Sequence, residues 1–349
     1  MNITKSTREY ERWLTGQVEL LPEDLKQKHE AMRSDVFPFF RATFYRWAET
    51  WEHVCGDAAR ARRVLAVGDL HVENFGTWRD VEGRLIWGVN DFDEAAKLPY
   101  TNDLIRLATS ALLVGMTCDG KTRVAAILEG YLAGVASGGR PFVLAEDHPA
   151  LGRMAVHRLH DPEAYWAKLR GLPEVSDVPE GARKTLQRVM PERGLALRIG
   201  HRIAGMGSLG RQRYVAIAEW RGGVIAREAK AIAPSAADRT GGIRYQEILD
   251  TAVRCADPFV RVQRRWIVRR LAPDCSRIEL ASLPQDRDEL RLLHAMGFET
   301  ANIHLGSVKA ATLEKDLKAR GRAWLYHAAR AMEKTVRADF AAFRDYSTR

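Results

Sequence analysis

Val67-Gly68-Asp69-Leu70-His71-Val72-Glu73-Asn74, with Asn90-Asp91-Phe92-Asp93 a short distance downstream, is the stretch on which the reading of this chain turns. A short apolar run, Arg63-Val64-Leu65-Ala66-Val67, leads into it, and Phe75–Arg79 and Leu85–Val89 read as a hairpin across Asp80-Val81-Glu82-Gly83. Both polar motifs therefore sit at strand ends. An Asp followed five residues later by Asn lets one loop aim a carboxylate at an attacking hydroxyl and an amide at a magnesium ion. Asp91, at the end of a neighbouring strand, approaches the same ion. A zinc reading would need His71 as a ligand without Cys or His nearby, so a buried, hydrogen-bonded imidazole is the simpler role for it. Taken one at a time, Asp69, Asn74, Asp91 and Asp93 are also the residues that ordinary turns and caps use.

The rest of the chain supports a globular protein. Its 349 residues with 46% apolar content can form one large or two medium domains. No segment approaches the roughly 20 apolar residues of a membrane span. Met1-Asn2-Ile3-Thr4-Lys5 leads into charged residues rather than a signal-peptide core, so a cytoplasmic protein is expected. Cys55, Cys118, Cys255 and Cys275 are scattered without short pairings, as suits reduced thiols. The net charge of +9 favours an anionic partner without choosing among nucleotide, phosphorylated substrate, nucleic acid or membrane surface.

Residues 7–55 read as helical and aromatic-rich, with Tyr10, Trp13, Leu14, Phe44, Trp47 and Trp51 at packing positions, and residues 102–137 keep an apolar stripe through Leu104, Leu107, Ala108, Ala111 and Leu112. Residues 145–192, rich in proline and charge, read as short helices and loops. The period then changes. Leu195–Ile203, Arg213–Ala218, Val224–Ala231 and Arg265–Leu271 look like strands, with a helix near Ile243–Cys255, and residues 286–304 and 311–345 are helical again.

Together, Gly-Asp-Leu-His-x-x-Asn and Asp-Phe-Asp resemble the paired motifs of aminoglycoside phosphotransferases, choline kinases and related kinase-fold enzymes. The resemblance implies ATP and magnesium as cofactors, Asp69 as catalytic base, Asn74 and Asp91 as metal ligands, and Asp93 as an auxiliary acid near the metal. Val67 stands where those families usually have His. Gly68–Gly76, Leu85–Ala95 and Asn102-Asp103-Leu104-Ile105-Arg106-Leu107-Ala108 also look like an uncharacterised bacterial family, domain-of-unknown-function family 2252. In kinase folds an Asp on the helix after the metal motif braces the catalytic loop. Asp103 matches that position, and is equally placed to cap its helix.

Gly205-Met206-Gly207-Ser208-Leu209-Gly210 lies between two strand-like runs instead of opening a helix, which favours a phosphate-covering flap over a dinucleotide fingerprint. Twenty residues after Gly210, Lys230 stands on another strand where a kinase places the lysine that pairs the α- and β-phosphates. Glu247 on the next helix is the expected ion-pair partner of Lys230. In ordinary kinases this loop and lysine precede the catalytic Asp, whereas here they follow it.

The expected fold is therefore α+β, a protein-kinase-like two-lobe fold in circularly permuted order with extra N- and C-terminal helices. Residues 1–62 would be N-terminal helices packing on the catalytic lobe, and 63–192 the catalytic-loop and metal-site part of the large lobe. Residues 193–273 would form a small β-rich nucleotide lobe, and 274–349 helices completing the large lobe. The helix ending in Asn302-Ile303-His304, which resembles a Leu-x-x-Leu-His ending, would be the one that normally precedes the catalytic loop. The expected function is phosphoryl transfer from ATP to a hydroxyl of an unidentified small molecule or protein. A catalytically silent nucleotide-binding module and a nucleotidyl transferase are the alternatives. A nucleic-acid partner would draw on Arg261, Arg264, Arg265, Arg269 and Arg270, but no recognised motif accompanies them, and a mixed surface strand explains them more simply.

Overall fold

Four helices open the chain: α1 (Ile3–Thr15), α2 (Pro22–Ser34), α3 (Val36–Ala42) and α4 (Phe44–Cys55). Asn2 caps α1 through a bond from Lys5 N, Pro22 opens α2, and the Asp35 side chain accepts from Phe37 N at the start of α3. These caps divide what reads in the sequence as one helical stretch. The computed structural model describes residues 2–149, 151–152, 161–275, 286–321 and 323–346.

Strand β1 (Arg63–Ala66) pairs antiparallel with a strand not foreseen in the sequence, β4 (Ala96–Pro99), which follows the hairpin of β2 (Phe75–Arg79) and β3 (Leu85–Val89). The hairpin turn is built by Asp80, whose Oδ1 accepts from Glu82 N at 3.1 Å and Arg84 N at 2.9 Å. A two-residue strand, β5 (Phe142–Val143), joins the outer side of β3.

Helix α5 (Tyr100–Leu113) is buried on every side. Its apolar stripe packs as expected, but its polar residues Asn102, Asp103, Arg106 and Ser110 are buried too, because the loop after β1 lies across them, and Thr109 is buried where its hydroxyl donates to the Ala329 carbonyl. The helical stretch continues only after a break, as α6 (Gly120–Ser137), capped by Asp119. Helix α6 is crossed by α11 (Asp286–Leu305), the helix that carries Glu299 and His304. The crossing is close enough to demand glycine: a Cβ on Gly130 would lie 1.8 Å from the His294 carbonyl oxygen, and one on Gly297 would lie 2.0 Å from that of Ile127. After β5 come a single helical turn, α7 (Leu144–Asp147), then α8 (Pro162–Arg170) and α9 (Glu180–Arg188). The chain ends with α12 (Ala310–Lys318) and α13 (Trp324–Tyr346), the second of which packs on α5 and α4.

Between α9 and α11 lies an antiparallel sheet of five strands: β6 (Arg198–His201), β7 (Arg213–Trp220), β8 (Gly223–Ala231), β9 (Arg261–Gln263) and β10 (Trp266–Leu271), in the order β6-β7-β8-β10-β9. Helix α10 (Tyr245–Thr251) sits in the connection between β8 and β9. Alternation gives the sheet two faces. Tyr214, Ala216, Ala229 and Val268 pack against Ala182 and Leu186 of α9, while Val215, Ile217, Ala226 and Leu271 pack against Leu169 of α8. The second face also carries Arg213, Glu228, Lys230 and Arg269, matched in the register of β7, β8 and β10. Strand β10 is therefore not the mixed surface strand its arginines suggest. It lies inside the sheet, with Ile267 and Val268 fully buried and Arg269 directed at Glu228. The architecture is mixed α+β, and among the described residues no helix is long and apolar enough to cross a membrane.

Candidate active site

The loop from Val67 to Asn74 is held from below by α5. Asp103 accepts from Val67 N at 2.7 Å through Oδ2 and from Gly68 N at 3.0 Å through Oδ1. Asn102 Nδ2 donates to the Gly68 carbonyl, and Ser110 Oγ accepts from Val72 N. His304, arriving on α11, donates through Nε2 to Asp103 Oδ2 at 3.0 Å, and its Nδ1 meets the Tyr131 hydroxyl at 2.9 Å. Leu70 and Val72 point into the core, which leaves the intervening polar side chains at the surface of a cleft. Gly68 has φ +81°, and a Cβ there would lie 2.2 Å from the Glu94 carbonyl oxygen, so this turn accepts only glycine.

Of the residues predicted from sequence, Asp69, Asn74, Asp91, Asp93, Gly205, Gly207 and Ser208 line that cleft. Asp69 gives Oδ1 to Arg106, whose Nε donates at 2.8 Å and whose guanidinium stacks 4.0 Å over the Phe40 ring. Burial pushes the Asp69 carboxyl above its ordinary range, against the opposing pull of Arg106 and Arg41. Asn74 ties the two motifs together: its Nδ2 donates to the Asp69 carbonyl at 3.2 Å and to the Asp91 carbonyl at 3.0 Å, which turns the Oδ1 end toward the cleft. Lys230, 1% exposed, reaches across from β8 to Asp91 Oδ2 at 2.9 Å and Asp93 Oδ1 at 2.6 Å. The two carboxylates differ. Burial opposes ionisation of both, but Lys230 and Arg269 outweigh it at Asp91, whose carboxyl is held below the usual range, whereas burial and the charge of Asp91 raise Asp93.

Glu247 is not brought to Lys230. It lies on the outer side of α10, 43% exposed, and pairs with Arg244 Nη1 at 2.8 Å. The lysine is neutralised instead by Asp91 and Asp93 in the segment that follows the hairpin, a pairing that depends on the sheet folding over the loop. Glu228, two residues before Lys230 on the same face, is held by Arg213 at 2.9 Å and by Arg202 at 2.5 Å. These arginines, with Arg269, keep its carboxyl well below the usual range despite burial.

The glycine loop forms the lid of the cleft. Gly205 and Gly210 have φ +79° and +97°, and Ser208 N and Arg211 N close tight turns onto the carbonyls of Gly205 and Ser208. Gly207 faces the loop below, such that a Cβ on it would lie 3.3 Å from Asp69 Oδ2. Ser208 Oγ accepts from Arg213 Nη2 at 2.8 Å. Lys28 of α2 donates to the Gly207 carbonyl at 3.3 Å, and Leu21 N to that of Gly210 at 2.8 Å, so the N-terminal helices hold the lid from outside. The cleft is partly open, and the space within it is about 40 Å³, room for a few waters.

Sequence reasoning missed Arg41, Arg106, Arg211 and Glu94, all of which stand in or directly behind the cleft. Arg106 carried a signal, since it is a second charge three residues after Asp103, within the apolar run Leu104-Ile105 and Leu107-Ala108. Arg211 and Glu94 adjoin the recognised motifs, and burial pushes Glu94 up to about 7. His71 lines the cleft, and its Nδ1 accepts from Glu73 N at 3.2 Å. Among the described residues no group of three or more His, Cys, Asp or Glu side chains is arranged to hold a metal ion.

No curated protein and no solved structure matches the chain. Residues 20–135 match the profile of a family described as an uncharacterized protein conserved in bacteria, DUF2252, and this segment holds Asp69, Asn74, Asp91, Asp93 and Asp103 but none of the five-stranded sheet that supplies Lys230.

Proposed function

We propose that the chain is an ATP- and magnesium-dependent phosphotransferase acting on a hydroxyl group, built as a circularly permuted kinase-like fold and working in the cytoplasm. The observation that carries this reading is the meeting of Lys230 with Asp91 and Asp93, 139 and 137 residues apart in sequence, directly above the Asn74 that links Asp91 to Asp69. Phosphoryl transfer needs positioning and charge neutralisation more than covalent chemistry, and these groups are of the required types.

The oxygens of Asn74, Asp91 and Asp93 fit magnesium, which takes hard ligands and is commonly bound by one or two carboxylates together with substrate phosphates. When bound, the ion would neutralise charge on the phosphates. Lys230 would face the α- and β-phosphates, with the backbone of Gly205, Gly207, Ser208 and Gly210 folded over them. Asp69 Oδ2, the oxygen not engaged by Arg106, would take the proton of the acceptor hydroxyl. The hydroxyl oxygen would then bond to the γ-phosphorus, and the bond to ADP would break, its electron pair leaving with ADP. The space beside Asp69 holds only a few waters, so the lid and sheet would move away from Asp69 to admit a nucleotide.

The close Lys230–Asp91–Asp93 contact also favours a second reading, a catalytically silent nucleotide-binding module in which the lysine stands in for the metal. A nucleotidyl transferase would share the ATP and metal requirements. Nucleic-acid binding loses support, since Arg269 and Arg270 are engaged by Glu228 and Asp274.

Thermal unfolding with nucleotide decides among them. A ligand at a hundred times its Kd stabilises the native state by about 2.7 kcal/mol. ATP is expected to raise the melting temperature only with magnesium, and Asp91→Asn to abolish the increment. A shift independent of magnesium supports the silent module, and no shift at all refutes both.

A further inference from the structure

Asp69 Oδ1 is taken by Arg106 and Oδ2 faces Gly207, so an attacking hydroxyl has its place between Oδ2 and the glycine loop. The walls beside that place are supplied by Tyr10 and Arg41 of the N-terminal helices and by Arg211, directly after the last glycine. Arg211 is 3% exposed. Its Nη2 bonds the Tyr10 hydroxyl at 3.1 Å and Glu94 Oε1 at 3.4 Å, and its Nη1 stands 3.8 Å from Asp93 Oδ2. Neither its Nε nor its Nη1 has a hydrogen-bond partner. Arg41 pairs with Glu73 through Nη1, and its Nε is likewise buried without a partner. Buried donors in folded proteins are nearly always satisfied, so two guanidinium groups that line one cleft and each keep an unpartnered N–H donor point to a ligand that brings acceptor oxygens.

We propose that Arg41 and Arg211 form an oxyanion subsite for the acceptor, so that the substrate is a hydroxyl compound carrying a phosphate or carboxylate group. This rests on the phosphotransferase reading. Guanidinium groups present planar forks that match both oxyanions, and two of them beside Asp69 hold an anionic acceptor with its hydroxyl at Oδ2. A cationic acceptor would enter between two guanidinium groups, while the carboxylates that could receive it, Glu73, Asp93 and Glu94, already face arginine or lysine.

The test is calorimetric titration of the full chain saturated with magnesium and β,γ-imido-ATP, whose γ-phosphate fills the transfer position and leaves only the acceptor side free. The probes are inorganic phosphate, acetate and tetramethylammonium. One equivalent of phosphate or acetate is expected to bind, the better of the two identifying the group carried by the substrate. Arg41→Gln is expected to weaken that binding about tenfold or more without changing nucleotide affinity, and Arg41→Lys, which keeps a cation beside Glu73, to fall between. Absence of anion binding to the wild type, or preference for tetramethylammonium, overturns the proposal. So does binding undiminished in Arg41→Gln, the mark of an adventitious ion only. Loss of nucleotide affinity in Arg41→Gln also overturns it, by moving the guanidinium to the γ-phosphate. If the wild type binds no nucleotide, the phosphotransferase reading falls. The same phosphate titration of nucleotide-free wild type and Arg41→Gln then still decides whether the anion subsite exists.

Discussion

Asp103 and Asp69 stand on the two sides of one loop, and their surroundings are opposite. Below the loop, both Asp103 oxygens are saturated by Val67 N, Gly68 N, Asn102 Nδ2 and His304 Nε2. Asn102 accepts in turn from Trp47 Nε1, and His304 meets Tyr131. Above it, Asp69 uses one oxygen on Arg106 and leaves the other facing the cleft, Asp91 and Asp93 share one lysine, and the neighbouring arginines keep unpaired donors. A saturated network fixes a backbone in one place, whereas an unsaturated one at the same depth keeps capacity for a ligand. The same residue type thus serves as a brace at Asp103 and keeps an acceptor oxygen free at Asp69, according to how many of its acceptor sites the fold has already filled.

The sharpest test of that contrast is Asp69→Asn. Loss of a positioned general base lowers turnover by about 10²–10⁴-fold. The fold should survive, because Asn keeps an oxygen for Arg106 and burial already disfavours the charged form of Asp69. ATP hydrolysis serves as readout until the acceptor is known, with Asp91→Asn as the control for contaminating activity. Equal rates in wild type and variant would remove Asp69 from the chemistry. Asp103→Ala should behave in the opposite way, with stability lost first. It strands four buried donors, two of them backbone N–H groups, at a cost of about 3–5 kcal/mol, readable as a lower urea midpoint. An unchanged midpoint would mean that the loop does not depend on this brace.

Glu299 extends the comparison to the strand that leads to Asp91. It accepts from Val89 N at 3.2 Å and from Asn302 Nδ2 at 2.8 Å, and burial pushes its carboxyl up to about 7, with Arg254 opposing. An unfolded glutamate titrates near 4.3, so between roughly pH 4 and 7 the native state holds a proton that the unfolded chain has released. Stability contributed by this group is therefore lost as pH rises through that window. Glu299→Gln removes the linkage, and its stability relative to wild type should improve by about 3 kcal/mol from pH 4 to pH 8, measured by urea unfolding at each pH. A difference constant with pH would show that the brace under Asp91 is ionised and ordinary.

The hairpin strands Phe75–Arg79 and Leu85–Val89 were legible to the residue, because turn chemistry at Asp80 and the alternation of apolar side chains are local. Strand β4, four residues ending in Pro99, was not legible, since it is defined only by its pairing with β1. Arg269 shows the same limit from the other direction: its strand was recognised, but its neighbours across the sheet, which bury it against Glu228, were not.

For the candidate site, the amino-acid sequence by itself determined which chemistry-bearing side chains exist and which ride on one loop. Asp69 and Asn74 lie five residues apart directly after Gly68, which alone fits its turn, and Asp91 follows two residues beyond the adjoining strand. Only the tertiary structure decided which charges meet. It gave Lys230 to Asp91 and Asp93 rather than to Glu247, set Arg106 against Asp69, and brought Arg41 and Arg211 beside it from segments 170 residues apart. The physical reason is one of range. Turn and strand preferences act over a few neighbouring residues, whereas the partner of a buried charge is set by whichever opposite charge the packed core places within a few ångströms, and sequence separation carries no information about that distance.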